Sequence, residues 1–217
     1  MAATKQEQYL DKISRDGAIK FVGSQNKIDF YLMGKEHFNY LKYHGLKPDH
    51  VFFDVGCGAL RTGQHIIPYL DSDNYFGLDR MPELIEYGLN EVLTPEIVFE
   101  RNPKFSVNNI FNCTFVDKPV NFAWCQSLMS HLGIADIKQC LRNVKETLAP
   151  NGRIYFTYFQ LEGLDEELAN NQTTHSKEDL FYSEQHMNKI VASCGLTPLF
   201  NGPVGHPRGQ WMYICKA

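Results

Sequence analysis

Residues 51–63, VFFDVGCGALRTG, constrain the fold more than any other stretch of the chain. Val51, Phe52 and Phe53 form an apolar run of strand type, and Asp54 stands where that strand should end. Gly56 and Gly58 then let the main chain turn tightly and leave room for a ligand to approach the backbone. Residues 62–70 continue as a candidate helix, with Pro68 near its end. A strand, a glycine turn and a helix in that order are the layout of a nucleotide-type site in an α/β sheet. A glycine turn alone is a weak signal, so the partner acid matters. It arrives at Asp79, ending the candidate strand 74–79. A carboxylate there accepts two hydrogen bonds from a ribose diol, because two adjacent hydroxyls match its two oxygens.

The 217 residues suffice for one domain with a full core. The net charge of −4 and the absence of any basic run argue against nucleic acid as the main partner. No apolar stretch approaches the roughly 20 residues of a membrane span. The first residues, MAATKQEQYLDKISRDG, are polar and lack a signal-peptide core. The six cysteines, at 57, 113, 125, 140, 194 and 215, have no CxxC pair. They read as reduced, mostly buried thiols of a cytoplasmic protein, and no metal site is expected.

Beyond residue 50 the pattern alternates. Strands are expected over 51–54, 74–79, 104–107, 120–125 and 153–159, and helices over 62–70, 82–92, 134–148 and 184–194. Alternation of this kind implies a parallel sheet with helices on its faces. Residues 197–200 and 211–215 should instead pair antiparallel, because no helix separates them. Ahead of this part, 4–15 reads as a short helix with Tyr9, Leu10 and Ile13 on one side. A second helix is expected over 35–43, after a glycine-punctuated aromatic stretch at 17–34.

These motifs, in this order, resemble the class I S-adenosyl-L-methionine (SAM)-dependent methyltransferases over residues 48–217. The resemblance rests on Asp54-Val-Gly56-Cys-Gly58, on Asp79, on Leu148-Ala-Pro150-Asn-Gly152 before the fifth strand, and on the closing hairpin. Gln126-Ser127-Leu-Met-Ser130-His131-Leu132 and His206-Pro-Arg-Gly-Gln210 are similar to a small-molecule subgroup. The resemblance implies a Rossmann-like, doubly wound, mostly parallel seven-stranded α/β sheet with an antiparallel final strand. Residues 1–47 would be a helical extension and possible lid. In a nicotinamide or flavin site the third glycine would fall at position 61, where this chain has Arg61.

The resemblance also assigns roles. SAM would be held by Asp54, Gly56, Cys57, Gly58, Asp79, Arg80, Asn109, Ile110 and Gln126, with Asn108 an equal alternative to Asn109. Ser127, Tyr158 and Arg208 would border a substrate. His131 and His206 are the candidate catalytic groups, since histidine titrates near neutral pH. Residues 17–34 and 161–183 are candidate covers for the site. The expected reaction is methyl transfer to an oxygen or nitrogen of a small polar metabolite, by a monomer or homodimer without nucleic-acid or membrane partners. The alternatives are cyclisation of SAM and methylation of a macromolecule.

Overall fold

The computed structural model describes residues 5–163 and 179–217. They form two compact units: one holds residues up to Asp49 with Cys57–Tyr75 and Met81–Pro103, the other His50–Gly56, Phe76–Arg80 and Lys104 onward.

The second unit is built on a mixed sheet. Its strands are β1 (Phe52–Val55), β2 (Tyr75–Asp79), β3 (Lys104–Val107), β4 (Val120–Cys125) and β5 (Leu148–Gln160), followed by β6 (Phe181–Tyr182), β7 (Thr197–Pro203) and β8 (Trp211–Lys216). The order is β3-β2-β1-β4-β5-β8-β7, with β6 paired to the end of β5 as an eighth strand. β2 pairs parallel with β3, β1 with β4, and β4 with β5. β8 runs antiparallel to both β5 and β7, so it is the one reversed strand of the main path. The expected sheet is therefore present, with one short strand more than the sequence implied.

Strand composition explains the sheet. Phe53, Val55, Ala123, Cys125, Ile154, Phe156 and Tyr213 point into one core. Phe52, Phe122, Trp124 and Tyr155, which alternate with them, are buried as well. Strands buried on both faces read as continuous apolar runs, and these do. Phe156 stacks on Tyr213 at 4.9 Å and Phe122 on Tyr155 at 5.5 Å, which fixes register across β4, β5 and β8. Helix α7 (Ile134–Lys145) adds Ile137, Cys140, Leu141 and Val144 to the first core, and the helix Glu184–Ser193 adds Met187, Ile190 and Val191. α7 ends at Lys145 and β5 begins at Leu148, five residues before the expected start of that strand. Gly152 allows this early pairing: a Cβ there would lie 2.3 Å from the Val120 carbonyl oxygen, so only glycine fits beside the β4 irregularity.

In the first unit, α1 (Lys5–Asp16) turns Tyr9, Leu10 and Ile13 toward Ala18, Phe30, Ala59, Met81 and Leu84. After the short α2 (Ala18–Phe21), α3 spans Lys27–Tyr43, not 35–43. The Asn26 side chain caps its start by accepting the Asp29 N–H at 2.9 Å. Gly34 sits inside this helix because a Cβ would lie 1.9 Å from the Arg61 carbonyl oxygen. It is a contact glycine inside the helix, where the sequence reads as punctuation ahead of one. α4 (Gly63–Tyr69) matches expectation. The expected helix 82–92 is α5 (Pro82–Tyr87) continued by a wider turn over Gly88–Val92. α6 (Pro95–Arg101) was not expected, although Thr94 caps it and Pro95 opens it.

All six cysteines are buried, and none is in a disulfide. Burial pushes the Cys113 thiol up to about 12 and raises Cys215 as well, while Cys125 is raised by its hydrogen bond with Cys140 and by burial. The thiolate is the nucleophile, so thiols held protonated and buried should be inert. The native protein is expected to react with a disulfide reagent such as DTNB orders of magnitude more slowly than the denatured chain. Rapid native titration of several thiols would contradict this packing.

Candidate functional site

In the sheet unit, the chain winds outward from β1 to β2 and β3, then returns to place β4 beside β1. Winding reverses between β1 and β4, and ligands of open α/β sheets bind beyond the carboxyl ends of the strands at such a point. Asp54, 3% exposed, is the last residue but one of β1, and Asp79, 8% exposed, ends β2. Gly56 follows with φ +78°, and its N–H donates to the Leu78 carbonyl at 2.7 Å. That bond continues the β1–β2 pairing through the turn and keeps both acids on one edge. A Cβ on Gly56 would come within 3.3 Å of Leu128, so a side chain here would crowd the same edge.

β3 delivers Asn108 to Ile110. The choice between Asn108 and Asn109 is open in sequence, but their environments differ. Asn108 Oδ1 accepts from the N–H groups of Ile110 and Asn112, at 3.3 and 2.9 Å, while Nδ2 donates to Ser106 Oγ and the Asn112 carbonyl, both at 3.1 Å. Its amide is spent on closing the turn. Asn109 and Ile110 are exposed, and the Ile110 carbonyl accepts from Gln139.

β4 leads into Gln126 and Ser127. Ser127 has φ +54°, an uncommon backbone state for a residue with a side chain. The Ser127 N–H holds it there by donating to Thr157 Oγ1 on β5 at 2.7 Å. Ser127 Oγ lies 2.8 Å from the Gln126 carboxamide and 3.0 Å from that of Gln210. The Gln126 carboxamide also lies 3.0 Å from His206 Nε2. Arg208, on the same β7–β8 loop, binds Asp179 at 2.6 Å and lies over the Phe159 ring at 5.0 Å. His131 Nδ1 is 4.0 Å from the other Asp179 oxygen. Loops after β4, before β6 and between β7 and β8 thus meet at the carboxyl edge.

Tyr158 is different. It is wholly buried, its hydroxyl donates to Asn201 Oδ1 at 2.8 Å, and burial raises its phenol well above the usual range. The structure makes it part of the core rather than bringing it to the edge where Ser127 and Arg208 lie. Side chains alternate along a strand, and the neighbouring Thr157 and Phe159 supply the contacts to Ser127 and Arg208.

The other expected ligands, Cys57 and Gly58, lie in the first unit. Gly58 has φ +52°, and a Cβ there would be 3.1 Å from Val22. Arg61 Nη1 donates to the Val22 carbonyl at 2.9 Å, so this arginine fastens the segment between α2 and α3 to the glycine loop. Arg80 is half-buried at the end of β2. Residues 164–178 of the expected cover at 161–183 lie outside the described residues. Of the remainder, Leu180 and Tyr182 are buried, and Tyr182 donates to the Leu132 carbonyl. Sequence reading missed Asp179, Thr157 and the bonding role of Gln210. Gln210 stood inside a quoted motif, whereas Asp179 had no local signal.

Among the described residues no cluster of three His, Cys, Asp or Glu is placed to hold a metal, and no helix is long and apolar enough to cross a membrane. A family model described as a methyltransferase domain matches residues 53–154. The fold is similar to magnesium protoporphyrin IX methyltransferase of Synechocystis PCC 6803 with bound SAM, over 100% of both chains at 11% identity and TM-score 0.68. It is similar to a SAM-dependent methyltransferase of Clostridium acetobutylicum ATCC 824 over 95% of this chain and 98% of that one, at 12% identity and TM-score 0.65. A TehB-like SAM-dependent methyltransferase of Corynebacterium glutamicum ATCC 13032 Kitasato aligns over 98% of this chain and 99% of that one, at 14% identity and TM-score 0.62.

Proposed function

We propose that this chain is a class I SAM-dependent methyltransferase that methylates an oxygen or nitrogen of a small polar metabolite at the carboxyl edge of β4 and β5. The observation that carries the reading is the pair of buried acids ending adjacent strands around the Gly56 turn. Asp79 is the ribose-diol acceptor, and Asp54 anchors the amino group of the methionine part, directly or through water. Asn109 faces the adenine, because the Asn108 amide is already committed to its own turn. SAM supplies an electrophilic methyl group on a sulfonium when bound. The chain's part is to orient an acceptor for in-line attack and to exclude water, which is where most of the acceleration arises.

Several features support a small polar acceptor. The edge beyond β4 and β5 carries Gln126, Ser127, His131, His206 and Arg208, which are hydrogen-bonding groups and not an apolar platform. The net charge of −4 with dispersed lysine and arginine offers no phosphate-tracking surface. The similar Synechocystis structure is by its name a magnesium protoporphyrin IX methyltransferase, which bears on the acceptor's being a small molecule and not on its polarity. The buried reduced thiols fit a cytoplasmic setting.

Calorimetry with SAM, S-adenosylhomocysteine and NAD tests the reading. SAM and S-adenosylhomocysteine should bind and NAD should not. Tight NAD binding without a SAM signal would overturn it. Product analysis separates the chemistries: methyl transfer releases S-adenosylhomocysteine, whereas cyclisation of SAM releases methylthioadenosine.

A further inference from the structure

The polar side chains around Ser127 form a chain whose hydrogen-bond directions follow from the one member that has no choice. A main-chain amide only donates. The Arg208 N–H reaches His206 Nδ1 at 3.2 Å, so Nδ1 presents a lone pair. A neutral imidazole then carries its proton on Nε2. That Nε2–H faces the end of the Gln126 carboxamide at 3.0 Å. A carboxamide exchanges its oxygen and nitrogen by a half-turn, and an N–H pointing at it demands the oxygen. Gln126 Nε2 is the atom that faces both His206 and, at 2.8 Å, Ser127 Oγ. The half-turn puts the oxygen in its place, and the Ser127 hydroxyl then donates to that oxygen as well. Ser127 Oγ lies 3.0 Å from Gln210 Oε1. With its hydroxyl directed to Gln126 it can only accept on this side, so the Gln210 carboxamide takes the matching half-turn and presents its N–H to Ser127. Gln210 is 1% exposed, so its amide has no recourse to bulk water. Ser130 Oγ closes the far end, within reach of the Ser127 carbonyl at 3.2 Å and of Gln210 at 3.5 Å. The opposite sense would need a proton on Nδ1, set directly against the Arg208 N–H.

The geometry points to His206 as a fixed hydrogen-bond donor, a positioning residue for Gln126 and Ser127, and not the proton acceptor of methyl transfer. A base must offer a lone pair to the acceptor. Here the one lone pair of the neutral ring is taken by the Arg208 amide, and the other nitrogen carries hydrogen. The loop that imposes this state is clamped from outside. The Arg208 guanidinium is held by Asp179 at 2.6 Å and lies over Phe159, and Asp179 also faces His131. Asp179 therefore acts on His206 through Arg208. The meaning of this arrangement for transfer rests on the function proposed above, but the proton position does not.

Long-range proton–nitrogen correlation spectra of the full chain near neutral pH test it without any ligand, with the His206 signals identified by their loss in His206→Gln. His206 is expected as the Nε2–H tautomer, with Nδ1 at an acceptor-type shift. An Nδ1–H tautomer, an imidazolium, or averaging between tautomers in the wild-type chain would overturn the inference. In Asp179→Ala the signals should move toward averaging; a spectrum identical to wild type would remove Asp179 from the device. A second readout is affinity for S-adenosylhomocysteine. The longer glutamine places an N–H near the Nε2 position and asparagine does not. His206→Gln should stay within about twofold of wild type and His206→Asn should lose about fivefold, the scale of one neutral hydrogen bond. Equal losses would overturn the donor role. Failure of the wild-type chain to bind S-adenosylhomocysteine would instead sink the cofactor reading and leave the tautomer result standing.

Discussion

Replacing Gly34 by valine is expected to cost about 3 kcal/mol or more of stability, at the upper end of what overpacking produces. Glycine in the middle of α3 costs about 1 kcal/mol of helix propensity relative to alanine, so local preference alone would favour a substitution. Packing reverses the sign. The nearest atom to a Cβ at this position is the Arg61 carbonyl oxygen, at 1.9 Å, followed by the Arg61 carbonyl carbon at 2.9 Å. These are main-chain atoms at the start of α4 and cannot rotate away. Relief requires α3 to lift from α4, and that would pull on the His37–Thr62 contact at 3.0 Å and the His65 contact with the Tyr31 carbonyl at 3.0 Å. For a chain of this size about 3 kcal/mol corresponds to a fall in Tm of roughly 6–12 °C. Gly34→Ala should move in the same direction by less. A valine variant melting with the wild type would show that the helices are not in contact at this glycine.

The second large effect is on cofactor affinity. Asp79→Asn preserves shape and burial but removes the charge and one acceptor position. A hydrogen bond to a charged group contributes about 1.5–3 kcal/mol, so SAM should bind roughly 10–150-fold more weakly. Asparagine keeps the volume and one acceptor oxygen of the buried side chain, so the loss should appear in affinity and not as unfolding. Calorimetry for affinity and urea unfolding for stability separate the two. An unchanged dissociation constant would mean that the diol acceptor is another group.

How much of this was legible in the sequence depended on how local the cause was. The β1 and β2 ends could be read because strand, acid and glycine turn lie within a few residues of one another, and Gly56 does adopt the positive φ its position demands. The reversed strand was foreseeable because two strands separated only by residues 201–210, with no helix between them, must pair antiparallel. The first half of α3 is hard to read because a glycine inside a helix imitates the punctuation ahead of one when the surface it approaches is unknown. The cap was nonetheless present at Asn26, with Asp29 three residues on. α6 carried an equally plain signal in Thr94-Pro95 that went unused. The polar chain at the edge had no local signature. Gln126 and His206 are 80 residues apart, and Ser127 and Gln210 are 83 apart. Which of these side chains meet depends on sheet order, and that order is a global property. Tyr158 failed for a subtler reason: its strand position was right, but the alternation parity that sends it into the core depends on which face α7 covers.

The place of β8 has a bearing on the order in which the sheet is assembled. β7 precedes β8 in the chain, yet it reaches the rest of the sheet only through β8, which stands between it and β5. No route exists in which strands are added to the growing edge one by one as they occur in sequence. β8 must first close a loop over residues 161–210 back to β5, or the two strands must zip into a hairpin and dock together. Loop-closure entropy grows only slowly with length, whereas the hairpin needs just its short connection. Pre-zipping is therefore the faster kinetic route. In pulse-labelled refolding, amides that bond β7 to β8 should gain protection no later than those that bond β8 to β5. If β5–β8 protection clearly came first, the reversed strand would be inserted alone and its neighbour recruited afterwards.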